Sequence, residues 1–316
     1  MGNWHQVLRE IEDESKRTLP KGISAFDLTR RKYLLKLSEY TGRSVIAYYS
    51  GFLSKPGIQL LDINDEDMNG FMSTVHELVR INGLDLIIHT PGGSIASTEA
   101  IVRYLHAMFG NNIRVIVPQV AMSAGTMIAC SAKEIIMGKQ SSLGPIDPQL
   151  RGIPAQGVIK EFETALKEYK ADHDSLAIWQ QIIQQYRPTF LGQCRDAIAW
   201  TQSFVGEQLR TVMFEGQADG ATKAAKIVEA LGDAETHKAH ERHIPASACT
   251  DMGLNVAMLE DDPTLQDLVL TVHHAFMITL ANTGAFKIIE NQLGRAFVKN
   301  QQNIQLLQQV AAPVKR

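Results

Sequence analysis

Leu84-Asp-Leu-Ile-Ile-His-Thr-Pro-Gly-Gly-Ser94 reads as an apolar strand that runs into a glycine turn. A strand apolar at nearly every position fits a parallel sheet covered on both faces. It is followed by a helical pattern over Ser94–Phe109 and a second apolar run, Ile113-Arg-Val-Ile-Val117. Further out, strand-like runs lie at Ser44–Tyr49, Ile58–Ile63 and Glu134–Met137, with helical patterns over Asp65–Asn82 and Ser123–Ala132. Strands alternating with helices of this length predict βαβ units and an α/β fold.

A second stretch, Val120-Ala-Met-Ser-Ala-Gly-Thr126, places a serine between small residues where a strand gives way to a helix. A glycine turn leaves backbone N–H groups unobstructed, and a helix start is the positive end of the peptide dipoles. Together the two stretches supply an oxyanion hole facing a nucleophile, the minimum for acyl transfer. Ser123 is the candidate nucleophile. Gly92 and Gly93 are the candidate oxyanion residues, with the backbone N–H of Ala124 as a second donor. Ala124 and Gly125 are small enough to let a substrate carbonyl approach the hydroxyl. The structural alternatives are a helix N-cap for Ser123 and a plain strand-to-helix turn for the glycines.

Residues 1–42 read as a charged, helical N-terminal segment, and 43–256 as the α/β domain. Within that domain, helical patterns at Ala155–Ala171, Ser175–Tyr186, Thr189–Met213 and Thr222–Leu231 follow the turn-rich Ser141–Gln149. Residues 257–316 read as a helical C-terminal extension, with a stretch over 264–308 interrupted by Asn282-Thr-Gly284. Leu265–Leu280 is apolar around much of its surface, which predicts burial against its own domain or a neighbouring subunit of a homo-oligomer.

With 45% hydrophobic and 21% charged residues, the 316-residue chain has an ordinary globular composition. A net charge of −3 suggests neither a nucleic-acid partner nor an anionic membrane surface. The widely spaced Cys130, Cys194 and Cys249 form no CxxC pair, which points to free thiols in a reducing compartment. The polar N-terminus lacks the apolar core of a signal peptide, and no run approaches the roughly 18 apolar residues of a membrane span. A cytoplasmic location follows, with membrane association only through a partner. Phosphate-binding and dinucleotide glycine motifs are absent, so no nucleotide cofactor is expected.

His89-Thr-Pro-Gly-Gly-Ser94, Ala121-Met-Ser-Ala-Gly-Thr-Met-Ile-Ala-Cys130 and Met137-Gly-Lys-Gln-Ser-Ser-Leu-Gly-Pro-Ile-Asp-Pro-Gln149 resemble the serine dehydrogenase proteinase family. That family belongs to the ClpP/crotonase-like superfamily and is related to signal peptide peptidase A. Gly253-Leu-Asn-Val256 and Lys287-Ile-Ile-Glu-Asn291 extend the similarity over roughly residues 30–295. The resemblance implies a ClpP/crotonase-like spiral of βαβ units, serine peptidase activity on polypeptides, and assembly into oligomers. By resemblance, Gly93 supplies the first oxyanion N–H. No cofactor or metal is implied, and nothing resembles a nicotinamide or pyridoxal site.

The resemblance leaves the general base divided. ClpP-like peptidases use Ser-His-Asp, and relatives of signal peptide peptidase A use Ser-Lys. The histidine of the former would fall near Pro145-Ile-Asp-Pro148, where this chain carries Asp147 and has no histidine between His106 and His173. That departure favours a lysine. Lys160 has the apolar neighbours Val158, Ile159 and Phe162, and burial would depress its pKa toward that of a base. Lys167 and Lys170 are rivals, and a solvated helix lysine is the plain alternative.

His237-Lys-Ala-His240-Glu-Arg-His243 lies where ClpP-like enzymes carry their triad aspartate, so His240, Glu241 and His243 join Asp147 as accessory candidates. No carboxylate or cysteine completes a metal-ligand set around these histidines. The expected function is an ATP-independent serine peptidase that forms an acyl-enzyme on Ser123 with a Ser-Lys dyad. The competing functions are a crotonase-like acyl-CoA enzyme, which needs no serine nucleophile, and a non-catalytic scaffold.

Overall fold

A computed structural model describes residues 3–233 and 239–301. Helices α1 (Trp4–Ser15) and α2 (Ala25–Thr41) precede strand β1 (Ser44–Ser50). Then come α3 (Asp67–Val75), β2 (Leu84–His89), α4 (Ile95–Phe109), β3 (Ile113–Val117), the short β4 (Val120–Ala121), α5 (Ala124–Cys130) and β5 (Glu134–Met137). The short strands β6 (Ser142–Leu143), β7 (Gln149–Leu150) and β8 (Ile153–Pro154) lead into helices α6 (Ala155–Ala171), α7 (Leu176–Ile183), α8 (Phe190–Gln208) and α9 (Gly220–Gly232). The chain closes with β9 (Ile244–Pro245), α10 (Ala246–Asp251), β10 (Val256–Met258), α11 (Pro263–Asn282), β11 (Ala285–Asn291) and β12 (Ala296–Asn300).

Seven strands form the main sheet in the order β10-β5-β3-β2-β1-β11-β12. The first five run parallel, and β11 and β12 add antiparallel at one side. Both faces of β2 are buried. Leu84, Leu86 and Ile88 face the core under α4 and α5, and Ile87 faces a second core under α2 and α11. This double burial is why the strand is apolar at nearly every position. Asp85, its charged member, is held by Arg43 and Arg114. The fold is mixed α/β with a mostly parallel sheet, as the ClpP/crotonase-like resemblance implies.

Local signals explain the helix boundaries. Ser24 and Asp27 form a reciprocal capping box at α2, and the Ser94 side chain accepts from Ser97 N at the start of α4. Asp262 caps α11, with Pro263 at its first position. The apolar α11 is buried against its own chain, by Leu34 and Leu37 on one side and Val7 and Ile11 of α1 on another. The oligomer expectation therefore draws no support from that helix. Among the described residues no helix is long and apolar enough to cross a membrane.

Three sequence expectations change. Ile58–Ile63 forms turns rather than a strand, and Ile63 alone makes a bridge, to Gly93. The helix expected over Asp65–Asn82 is confined to Asp67–Val75. The C-terminal segment expected as helical carries β11 and β12, which complete the main sheet, while residues 302–308 lie outside the described region. Lys287 and Glu290 of β11 are both fully buried. Asp67 neutralises the first, and Arg30 and Arg31 the second.

Candidate active site

The site forms where β2 and β4 end side by side. Thr90 N donates to Val120 O at 3.2 Å and Met122 N donates to Thr90 O at 3.1 Å. These bonds staple the glycine turn after β2 to the serine turn after β4. Gly92, at φ +107°, faces the serine so closely that an added Cβ would stand 2.8 Å from Ser123 Cβ and 3.2 Å from Ala124 N. The sequence-predicted Gly92, Ser123 and Ala124 are thus brought together.

Ser123 occupies φ +50° and ψ −111°, a region that non-glycine residues rarely enter. Gly125 N donates to Met122 O at 2.7 Å and closes the turn behind it. Such a strained strand-to-helix turn lifts a serine hydroxyl out of the backbone, at a cost of about 1–3 kcal/mol. The side chain is half-buried and makes no capping hydrogen bond to the helix it precedes. The N-cap explanation for this serine therefore fails.

Across from it, Gly92 N donates to Thr90 Oγ1 at 3.2 Å, so that N–H is engaged. Ile63 N donates to Gly92 O at 2.7 Å, and Ser94 N donates to Ile63 O at 2.9 Å. Gly93 lies exposed between these two bonds.

The chain after β6 passes beside the serine turn. β4 pairs with β6, placing Ala121 opposite Leu143, and Gly144 N donates to Thr126 Oγ1 of α5 at 2.9 Å. Gly144 is thereby tied beside the serine turn. Asp147 is buried, and its Oδ1 lies 2.9 Å from His240 Nδ1. His243 Nδ1 lies 2.6 Å from Ser142 Oγ. Asp147 and His240 are far apart in sequence, and the segment that carries β9 brings them together. The Ser142–His243 contact was missed from sequence, because the motif that contains Ser142 gives that side chain no role and the two residues lie about a hundred positions apart. Glu241 is exposed, and His237 lies outside the described residues.

The lysines stand differently. Val158, Ile159 and Phe162 do pack, but onto Cys194, Tyr186 and Phe190 in a separate cluster between α6 and α8. Lys160 itself is exposed, as are Lys167 and Lys170, so the burial expected of a lysine base is absent. The helix turns its apolar stripe inward and leaves these lysines on the solvent side. Among the described residues, no group of three or more His, Cys, Asp or Glu is placed to hold a metal ion.

His89, in the motif that opens the glycine turn, is fully buried beside Tyr49, Phe52 and His273. Among the described residues neither of its ring nitrogens finds a hydrogen-bond partner. Burial pushes its pKa down to about 4, weakly opposed by the nearby Val120 backbone, and burial lowers that of His273 as well. The unfolded chain thus binds protons that the folded chain refuses between pH 6.5 and about 4. Stability present above pH 6.5 should fall by about 2–3 kcal/mol as the pH drops to about 4. Denaturant unfolding at pH 7 and 4.5 tests this. The loss should shrink in His89→Phe, and an equal loss in both proteins would rule His89 out as its source.

The model of the ClpP-like SDH-type serine proteinase family matches residues 23–259, a span that contains Ser123, the glycine turn, Asp147 and His240. The chain belongs to that family. One relative that the chain resembles is the uncharacterized protein MJ0137 of Methanocaldococcus jannaschii. It is 31% identical over 234 residues, covering 72% of this chain and 73% of the relative. The uncharacterized protein MJ1495 of the same organism is 36% identical over 111 residues, covering 35% of this chain and 37% of its own. No solved structure matches the chain significantly.

Proposed function

We propose that the chain cleaves peptide bonds, without ATP, through an acyl-enzyme on Ser123. The observation that carries this reading is the strained, uncapped Ser123 facing the Gly92–Gly93 turn. Ser123 Oγ attacks the scissile carbonyl, and the N–H groups of Gly93 and Ala124 receive the oxyanion. Gly92, its own N–H engaged by Thr90, contributes the close approach that only glycine allows. The leaving amine departs with a proton, and water then releases the acyl group. In the Ser-Lys form of this reading, Lys160 takes the serine proton and delivers it.

One observation favours a second base. His240 Nδ1 sits 2.9 Å from the buried Asp147, the arrangement that orients an imidazole and leaves its Nε2 to accept a proton. The roles of the ClpP-type triad are then filled with its histidine and aspartate positions exchanged: Asp147 stands in the segment expected of the histidine, and His240 in that of the aspartate. A cytoplasmic homo-oligomer acting on polypeptides completes the proposal, and light scattering tests its assembly.

The deciding experiment is cleavage of unfolded casein and a peptide library by wild type, Ser123→Ala, Lys160→Ala and His240→Ala, with folding checked for each. The reading requires that Ser123→Ala be inactive. Loss in Lys160→Ala alone among the two base variants supports the dyad, and loss in His240→Ala, with Lys160→Ala active, supports the histidine. A folded but silent wild type turns the reading to a scaffold, or to an acyl-CoA enzyme if acyl-CoA binds.

A further inference from the structure

The turn that carries Gly93 is held by a loop with little regular structure of its own. A Cβ on Gly93 would stand 2.3 Å from both Ile63 N and Ile63 O, so the Ile63 backbone lies flat against the turn. Its bonds to Gly92 O and Ser94 N bracket Gly93 and fix the peptide planes on either side. The direction of the Gly93 N–H therefore follows the placement of Ile63.

Ile63 is seated from three sides. Lys287 Nζ of β11 donates to Asp62 O at 2.7 Å and to both carboxylate oxygens of Asp67 at 3.0 Å. Asp67 also accepts from Asn64 N at 3.1 Å and from Tyr48 OH at 2.9 Å, which holds the chain on the far side of Ile63. Ser50 Oγ donates to Leu61 O at 2.7 Å. Lys287 and Asp67 are both fully buried. Buried ion pairs add little stability over apolar residues of the same volume, so stability alone does not explain this one. What an apolar pair lacks is a donor set of fixed direction, here aimed at the carbonyl beside Ile63.

We infer that Lys287 is a positioning residue for the oxyanion turn: held by Asp67, it seats the Asp62–Ile63 peptide, and Ile63 aims the Gly93 N–H. The inference rests on the peptidase reading, in which Gly93 serves the oxyanion.

The test uses Lys287→Met in the full chain, with Glu290→Gln as the control. Glu290 lies on the same strand in a buried ion pair of its own with Arg30, and touches neither Asp62 nor Asp67. Three quantities are read: hydrogen exchange of the Ile63 and Ser94 amides, the rate at which a fluorophosphonate labels Ser123, and kcat and KM on a cleaved peptide. In Lys287→Met the two amides should exchange at least tenfold faster while those of β3 are unchanged. Labelling and kcat should fall tenfold or more, with KM within threefold. Glu290→Gln should lower the melting temperature and leave these readouts at wild-type values. Lys287→Gln, which keeps an N–H donor, serves if the methionine variant does not fold, with the same direction expected.

Wild-type exchange and labelling in the Lys287 variants would overturn the inference. So would a loss in Glu290→Gln matching theirs, since the pair would then only hold the fold. A folded wild type inert to both probe and peptides overturns the peptidase reading instead. The exchange at Ile63 and Ser94 then decides the seating alone, with faster exchange supporting it and unchanged exchange overturning it.

Discussion

Replacing Ser123 by alanine is expected to reduce peptide cleavage by about four to six orders of magnitude while the chain remains folded. The size follows from the role. Without the hydroxyl no acyl-enzyme forms, and only what the oxyanion donors and substrate binding give to direct attack by water remains. Folding survives because the side chain caps no helix and is half-buried, so its removal opens no large cavity. Alanine keeps the backbone penalty of φ +50°, whereas Ser123→Gly relieves it and should raise stability by about 1 kcal/mol. Initial rates and thermal unfolding of the three proteins check both statements. An alanine variant that still cuts at the wild-type rate would remove Ser123 from the mechanism.

Gly93→Ala should be nearly as damaging to activity and far more so to stability. The new Cβ would meet the Ile63 backbone on two atoms, and backbone cannot swing aside as a side chain can. The position also sits at φ +153°, where a side chain is strained even in open space. Together these should cost about 2–4 kcal/mol of stability. Whatever fraction folds must displace the turn, and losing one oxyanion donor costs about 10²–10³ in kcat. Chemical denaturation and kcat of the folded fraction measure the two effects. A variant with wild-type kcat would show that the Gly93 N–H takes no part.

Much of the fold was legible because β2, β3 and β5 lie between two covered faces and advertise this in apolar runs, each carrying a single charged residue. The segments that misled are those where tertiary partners override local chemistry. Ile58–Ile63 carries strand-like residues, but positive φ at Gly57 and Leu60 breaks it into turns. β11 carries a lysine and a glutamate whose partners lie more than two hundred residues away, and no local pattern announces a buried pair. Asn282-Thr-Gly284 did mark the break, and the β-branched Ile288-Ile289 after it was the available strand signal.

At the site, the Ser123–Gly92–Ala124 cluster was readable because small residues are needed wherever backbones approach closely. The support of the site was not. Asp147 and His240 stood as separate accessory candidates, and only folding shows His240 against Asp147. The apolar neighbours of Lys160 were real, but their direction around the helix, toward α8, decided which side chain stayed in solvent.

The placement of β11 beside β1, where Ser50 faces Lys287, has a consequence in time. Synthesis proceeds from the N-terminus, and Ser123 with its glycine turn leaves the ribosome long before Lys287 does. Through that interval the groove that β11 will fill is open, and Ile63 has no ammonium to rest on. On the proposed reading, Ser123 exists while the turn it works with is still unseated. If the chain is the peptidase proposed above, assembly in this order keeps it blunt beside its own unfinished polypeptide and arms it only when the strand after α11 arrives.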